Sequence, residues 1–234
     1  MAESTRLLSI SSFRWGSAST HFKPCPTIEV WREEIKPCNS FIDFALYVSF
    51  FPQLVAGPIE RASHLLPQLQ NLNKPVSRSL IQQGALLILT GYIKKVILSD
   101  QISPYADEAF KNWETLSSFA LWEGLLLFTL QIYFDFSGYT DIARGVSKWF
   151  GIDLMVNFRQ PYFAESITEF WHRWHISLST WLKYLYIPLG GNRKGRARTY
   201  MNLMITMLLG GLWHRHNLTF VFWGFLHGLY LAIP

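Results

Sequence analysis

A series of long apolar stretches, separated by short polar or charged connections, constrains this chain more than any other feature. A segment needs roughly 20 mostly apolar residues to cross a hydrocarbon layer about 30 Å thick. Residues 41–59 (FIDFALYVSFFPQLVAGPI), 80–98 and 116–136 approach that length, and shorter runs follow at 200–213 and 218–234. Unbroken apolar runs favour helices, because membrane strands alternate polar and apolar residues in short segments. Composition agrees: charged residues make up only 16% of the 234, while 50% are hydrophobic and 16% aromatic. Soluble domains carry about 25% charged residues, so an ordinary water-soluble enzyme is disfavoured, and so much apolar surface argues against disorder. The expected architecture is all-α, a multi-pass transmembrane helical bundle in the lipid bilayer over residues 41–234, behind a polar leader at 1–40. That leader lacks a signal peptide's apolar core. Its Cys25 and Cys38 allow one disulfide at most.

The net charge of +5 is small, and the basic residues sit between apolar runs, where lipid headgroups are nearer neighbours than nucleic-acid phosphates; no nucleic-acid partner is expected. Short cytoplasmic loops are enriched in Lys and Arg. Arg61, Lys74 and Arg78 therefore place the first connection in the cytoplasm, and the acidic set Asp100, Asp107, Glu108 and Glu114, with Lys111, places the second outside. Arg144, Lys148 and Arg159, then Arg193, Lys194, Arg196 and Arg198, read as cytoplasmic again. By this parity the stretch 164–189 does not cross, and it is expected to form a re-entrant or interfacial helix. Lys94 and Lys95 resist the scheme, being toward the outer end of the second run; they snorkel or face a polar interior.

Chemistry-bearing residues concentrate in Glu169-Phe-Trp-His172-Arg173-Trp-His175 and in Gly210-Gly-Leu-Trp213-His214-Arg-His216. Histidine exchanges protons near neutral pH and is the natural base for a hydroxyl acceptor. His214 closes an apolar run, and an intramembrane ionisable residue is a functional candidate by default; a histidine satisfied at a helix end is an equally weighted reading. His172 and His175, three apart, fall on one helical face. A metal site is not expected, because zinc takes three or four protein ligands and neither Cys nor HExxH spacing supplies them. Trp171, Trp174 and Trp181 could line a substrate cavity, although interfacial aromatic belts have the same composition. Asp135 and Asp141 fall where the third run gives way to polar residues; beside Ser, Gly and Thr, an Asp more often caps a helix or turns the chain than orients a partner His or Arg. Glu169 and Arg173 have ion-pair spacing. GGNRKGRAR lacks the Gly-Lys-Ser/Thr ending of a phosphate-binding loop, so its simplest role is an anchor on anionic lipid. No GxSxG elbow supports a serine nucleophile.

The stretches FFPQLVAGPIERASHLLPQL, DFSGYTDIARGVSKWFGIDLMVNFRQPYFAESITEFWHRWHISLSTWLKYLYIPLGGNRKG, MLLGGLWH and FVFWGFLHG closely resemble the membrane-bound O-acyltransferase family, in particular its bacterial alginate O-acetylation branch. The resemblance implies a partial version of that fold in the bacterial inner membrane. It implies transfer of an acyl group, usually acetyl, from a cytoplasmic thioester such as acetyl-CoA toward hydroxyls of an exported polysaccharide, with periplasmic acetyltransferase or relay proteins as partners and no bound cofactor. Alternatives are another acyl group, such as D-alanyl, on a cell-envelope polymer, or a non-catalytic scaffold. The family's catalytic histidine falls on His214 and its second characteristic histidine on His175; Trp171, Trp174, Asp135, Asp141 and Arg173 are the expected substrate-binding residues.

Two departures stand out. Arg215 replaces the small residue that usually follows the catalytic histidine, and WLKYLYIPLGG is one residue shorter than the usual WLRDYLYIPLGG, a change that rotates a helix by about 100°. Family members carry further helices before and after the matching region, so the chain is expected to be a fragment.

Overall fold

The computed structural model describes residues 29–30, 33, 35–36, 38, 40–54, 57–72, 75–214 and 217–233. The leader up to residue 28, with Cys25, lies outside them, as do Lys74, Arg215 and His216. Every extended element among the described residues is helical.

The first apolar run is not a spanning helix. Helix α1 covers Phe41–Ser49, about 14 Å at the helical rise, capped by the Ser40 side chain accepting from the Asp43 N–H at 3.2 Å. A short 3-10 turn, Phe51–Gln53, follows with Pro52 inside it. Gly57 then lies so close to the Pro52 carbonyl and the Gln53 Cα that any side chain there would collide with backbone. Proline and this close approach turn a 19-residue apolar string into a folded-back segment. Helix α2, Ala62–Leu69, packs on α1, and Tyr47, Leu65, Leu66 and Leu69 share a core with Ile152 and Leu154.

Glu60, 1% exposed, joins these pieces. Its carboxylate accepts from the Met155 N–H at 2.5 Å and pairs with His64 Nδ1 at 2.7 Å, while its carbonyl takes the Tyr47 hydroxyl at 3.2 Å. Gln68 exchanges two hydrogen bonds with the backbone of Asp153.

The second run is longer than its apolar core. Helix α3, Arg78–Tyr92, passes through a π-helical segment, Ile93–Ser99, directly into α4, Asp100–Lys111. The acidic group at 100–111 is therefore helix and not loop. The third run is likewise extended: α5 is continuous from Ser118 to Trp149, so the polar stretch at 137–141 does not interrupt it. Both assemblies, Arg78–Lys111 and Ser118–Trp149, are long and apolar enough to cross a membrane, and their outer faces expose large apolar side chains including Leu86, Leu89, Trp122 and Leu126.

Small residues set how closely these two helices meet. A Cβ on Gly84 would come within 2.6 Å of the Gly145 carbonyl, and one on Gly91 within 2.5 Å of the Gly138 carbonyl. Seven-residue spacing on both helices puts each glycine pair on one stripe, and lipid tails offer no hydrophobic drive to association, so close packing must supply it. The last two runs form a second hairpin, α8 (Arg196–His214) and α9 (Leu218–Ala232), in which Gly211 meets the Phe220 backbone and Gly224 the Met207 backbone. Between the hairpins, α6 (Ile167–Arg173) and α7 (Ile176–Tyr186) replace the single helix expected at 164–189.

Gly91→Val should destabilise the fold by about 1–3 kcal/mol or more, the range for overpacking, whereas Leu86→Ala on the exposed face should change it by less than about 0.5 kcal/mol. Unfolding of the purified chain in mixed micelles checks both. The Glu60 hydrogen bond raises the His64 pKa above its ordinary value, outweighing partial desolvation. That stabilisation is full below about pH 6.5 and is lost as pH rises through the raised pKa. His64→Gln should therefore lower the melting temperature more at pH 6 than at about pH 8.5; an equal effect at both would contradict the assignment.

Candidate active site

His175 sits at the break between α6 and α7 in a left-handed backbone conformation, φ 44° and ψ 56°. Such a conformation is uncommon for a residue with a Cβ and persists only where its surroundings enforce it. Asn157 does so: its carbonyl accepts from the Ile176 N–H at 3.0 Å, and its side-chain oxygen accepts from the Ser177 N–H at 3.1 Å. Ser177 Oγ lies 3.4 Å from His175 Nδ1 and accepts from the Ile59 N–H at 3.0 Å, tying the break to the folded-back first segment. The imidazole is buried and meets Phe136 of α5 edge-on, with ring centroids 4.7 Å apart. His172 is left exposed on α6. The break removes the common helical face expected for these two histidines, because the left-handed residue redirects the chain between them.

His214 closes α8 as expected. Its ring stacks near Phe220 at 6.2 Å and meets Trp223 edge-on at 5.5 Å, both on α9. Leu178 and Leu182 of α7 and Met207 of α8 share a core, with Trp213 of α8 and Trp223 of α9 packed against it. The two motif histidines, 39 positions apart in the chain, thus border one core built by α7, α8 and α9. Trp181 of α7 stacks on Trp213 at 5.8 Å, and Leu182 lies against Gly210, so the shortened WLKYLYIPLGG segment still seats α7 against α8.

The two expected tryptophans belong to one hydrophobic cluster and share Phe170 as a ring neighbour. Trp171 is 7% exposed and packs on Trp223 at 5.7 Å and on His227 at 5.2 Å. Trp174 meets the rings of Tyr133, Phe158, Tyr162 and Phe170. Arg173 takes Glu169 as its ion partner, the pairing that their spacing predicts.

Asp135 and Asp141 neither cap a helix nor form a turn; both lie inside α5. Lys94 pairs with Asp141 at 2.6 Å, Lys95 with Asp135 at 2.5 Å and with Asp100 at 2.7 Å, and Arg144 approaches Asp141 at 3.7 Å. Both lysines therefore face carboxylates: Lys94 and Asp141 are partly buried, whereas Lys95 and Asp100 are more exposed. In a regular helix adjacent residues diverge by about 100°; both reach α5 from a π-helical segment whose backbone lies against Gly138. Asp135 is adjacent to Phe136, so the ion pairs hold the part of α5 that backs His175.

His227 was not singled out from the sequence, although a signal exists. Phe220, Trp223 and His227 recur at i, i+3 and i+7, one face of a helix, and that face meets His214 and Trp171.

The family model described as MBOAT, membrane-bound O-acyltransferase family, matches residues 32–233. The chain belongs to the membrane-bound O-acyltransferase family. It is 48% identical over 207 residues to a protein named probable alginate O-acetylase from Pseudomonas putida, covering 88% of this chain and 42% of that one. Similarity also extends to a peptidoglycan O-acetyltransferase of Helicobacter pylori, 46% identical over 83% of this chain and 37% of the relative. A teichoic acid D-alanyltransferase of Streptococcus thermophilus is 28% identical over 82% of this chain and 49% of the relative. The chain thus spans less than half the length of these relatives. Family and apolar helices together make it a membrane protein.

A double-mutant cycle tests the charge network. Replacing Asp141 by Asn should destabilise the chain more in the presence of Lys94 than in a Lys94→Met background, with a coupling energy of about 0.5–3 kcal/mol. A coupling of zero would show that the pair does not hold the helices together.

Proposed function

We propose that this protein transfers an acetyl group from a cytoplasmic thioester, acetyl-CoA or another acyl carrier, toward hydroxyls of an exported polysaccharide such as alginate. The observation that carries this reading is the placement of His214 and buried His175 around one aromatic-rich core, beside helices fit to span a bilayer. His214 acts as the base: it takes the acceptor hydroxyl proton as the oxygen attacks the thioester carbonyl, then returns the proton to the leaving thiolate. General-base assistance of this kind contributes about 10²–10⁴-fold. His175, held in place by Asn157 and Ser177, positions donor or acceptor. Trp171 and Trp174 bound the substrate space from two sides. Asp135, Asp141 and Arg173, each engaged in an ion pair, contribute by fixing α5 and α6. The setting is a bacterial inner membrane, crossed several times, with periplasmic acetyltransferase or relay proteins receiving the group. Greater identity to the acetyltransferases than to the D-alanyltransferase supports acetyl over D-alanyl.

Membranes containing the chain, supplied with labelled acetyl-CoA and a polysaccharide acceptor, should form acetylated product, and His214→Ala should lower the rate by about 10²–10⁴-fold while inserting normally. Undiminished transfer in the variant would overturn the assignment of the base. Transfer of D-alanyl but not acetyl would favour the other acyl group, and a folded wild-type chain that forms no acyl product would favour a scaffold.

A further inference from the structure

Across Trp223 from His214, the structure holds two polar ring nitrogens with no hydrogen-bond partner among the described residues. Trp171 Nε1 and His227 Nδ1 are both buried, and neither has a hydrogen-bond partner among the described residues. They belong to neighbouring rings, 5.2 Å apart and edge-to-face. Both rings touch Trp223, at 5.7 Å and 4.6 Å, and Trp223 in turn touches His214 at 5.5 Å.

The indole N–H can only donate, and an imidazole Nδ1 that carries the ring proton is a second donor. Most buried polar groups in folded proteins are paired, and an exception calls for a reason; two neighbouring exceptions next to the proposed base point to a ligand atom that accepts. Acyl transfer supplies such an atom, because the carbonyl oxygen gains negative charge in the tetrahedral intermediate, and prearranged donors in a water-poor site stabilise that charge.

We propose that Trp171 Nε1–H and His227 Nδ1–H bind the carbonyl oxygen of the acyl donor, a proposal that rests on His214 being the base. As the acceptor oxygen loses its proton to His214 and bonds to the carbonyl carbon, the π electron pair of the C=O bond moves onto the oxygen held by Trp171 and His227. That pair then reforms the carbonyl, the C–S bond breaks, and the departing thiolate takes the proton from His214. Buried Trp171 on α6 and His227 on α9 thereby share the acyl oxygen while His214 takes the acceptor proton, and Trp223 touches all three rings.

Trp171→Phe keeps an aromatic ring but deletes the N–H together with the five-membered part of the indole. It should lower kcat for labelled acetyl transfer by about 10²–10³-fold, the loss seen when one such donor is removed, with KM unchanged; the melting temperature should fall as well, because the smaller ring leaves a cavity in the core. His227→Leu should do the same, and His227→Asn, whose amide nitrogen replaces Nδ1, should recover part of the rate; a structural role would give no such recovery. Full activity in Trp171→Phe overturns the proposal while leaving His214 as the base. A second measurement needs no turnover: acetyl-CoA with a ¹³C carbonyl, bound to the His214→Ala chain, is observed by isotope-edited infrared spectroscopy. The carbonyl band should lie at lower frequency than in water-free solvent and should move back up in Trp171→Phe. A band that Trp171→Phe does not move, or a folded chain that does not bind acetyl-CoA, overturns the proposal. A Trp171-dependent shift without transfer by the wild-type chain would support the oxygen site and count against the proposed function.

Discussion

Backbone contact between α3 and α5, at Gly84 with Gly145 and Gly91 with Gly138, sets the separation from which much of the structure follows. With no side chain between the helices, the lysines of the π-helical segment reach Asp135 and Asp141 directly. Those charges would be costly in an apolar layer without partners, so close approach and ion pairing depend on one another. The consequence extends to the site: the paired part of α5 includes Phe136, whose ring backs the His175 imidazole. A wider separation would loosen that wall as well as the ion pairs.

The second constraint is the left-handed break at His175. A continuous helix through 167–186 would leave His175 on the same face as His172; the break buries one and exposes the other. Asn157 satisfies the backbone at this corner, and Ser177 links it to the folded-back loop before Glu60. That loop is itself clamped to the segment after α5 through Glu60 and Met155. The apparent first spanning run is thus a support for the site, which explains why it is folded back by Pro52 and Gly57 and not extended across a bilayer.

Much of this was legible in the residues. Helix type and the approximate positions of the later elements followed from apolar runs too long and too continuous for strands; His214 stood out as an ionisable group closing an apolar run, and His175 through its place in the family motif. Errors fell where composition changes without a change of structure. The polar stretch at 137–141 looked like a helix end because Ser, Gly, Thr and Asp are common there, yet its carboxylates are satisfied by lysines from another helix, so α5 continues. The run at 41–59 looked like a span because apolar content alone does not register how tightly Gly57 lets the chain return on Pro52. His227 was passed over because its significance lies in its neighbours Trp171 and Trp223, one of which comes from a distant helix.

By itself the sequence determined an all-helical chain with membrane-compatible segments, since apolar periodicity and local caps act over a few residues and are written in order along the chain. It also carried the motifs that resemble the acyltransferase family. Only the tertiary structure decided which charges on different helices pair, where the 164–189 stretch breaks, and which rings surround His214. Those outcomes depend on groups that meet across helices, at separations set by glycine contacts and buried hydrogen bonds, and no local pattern encodes the distance between them.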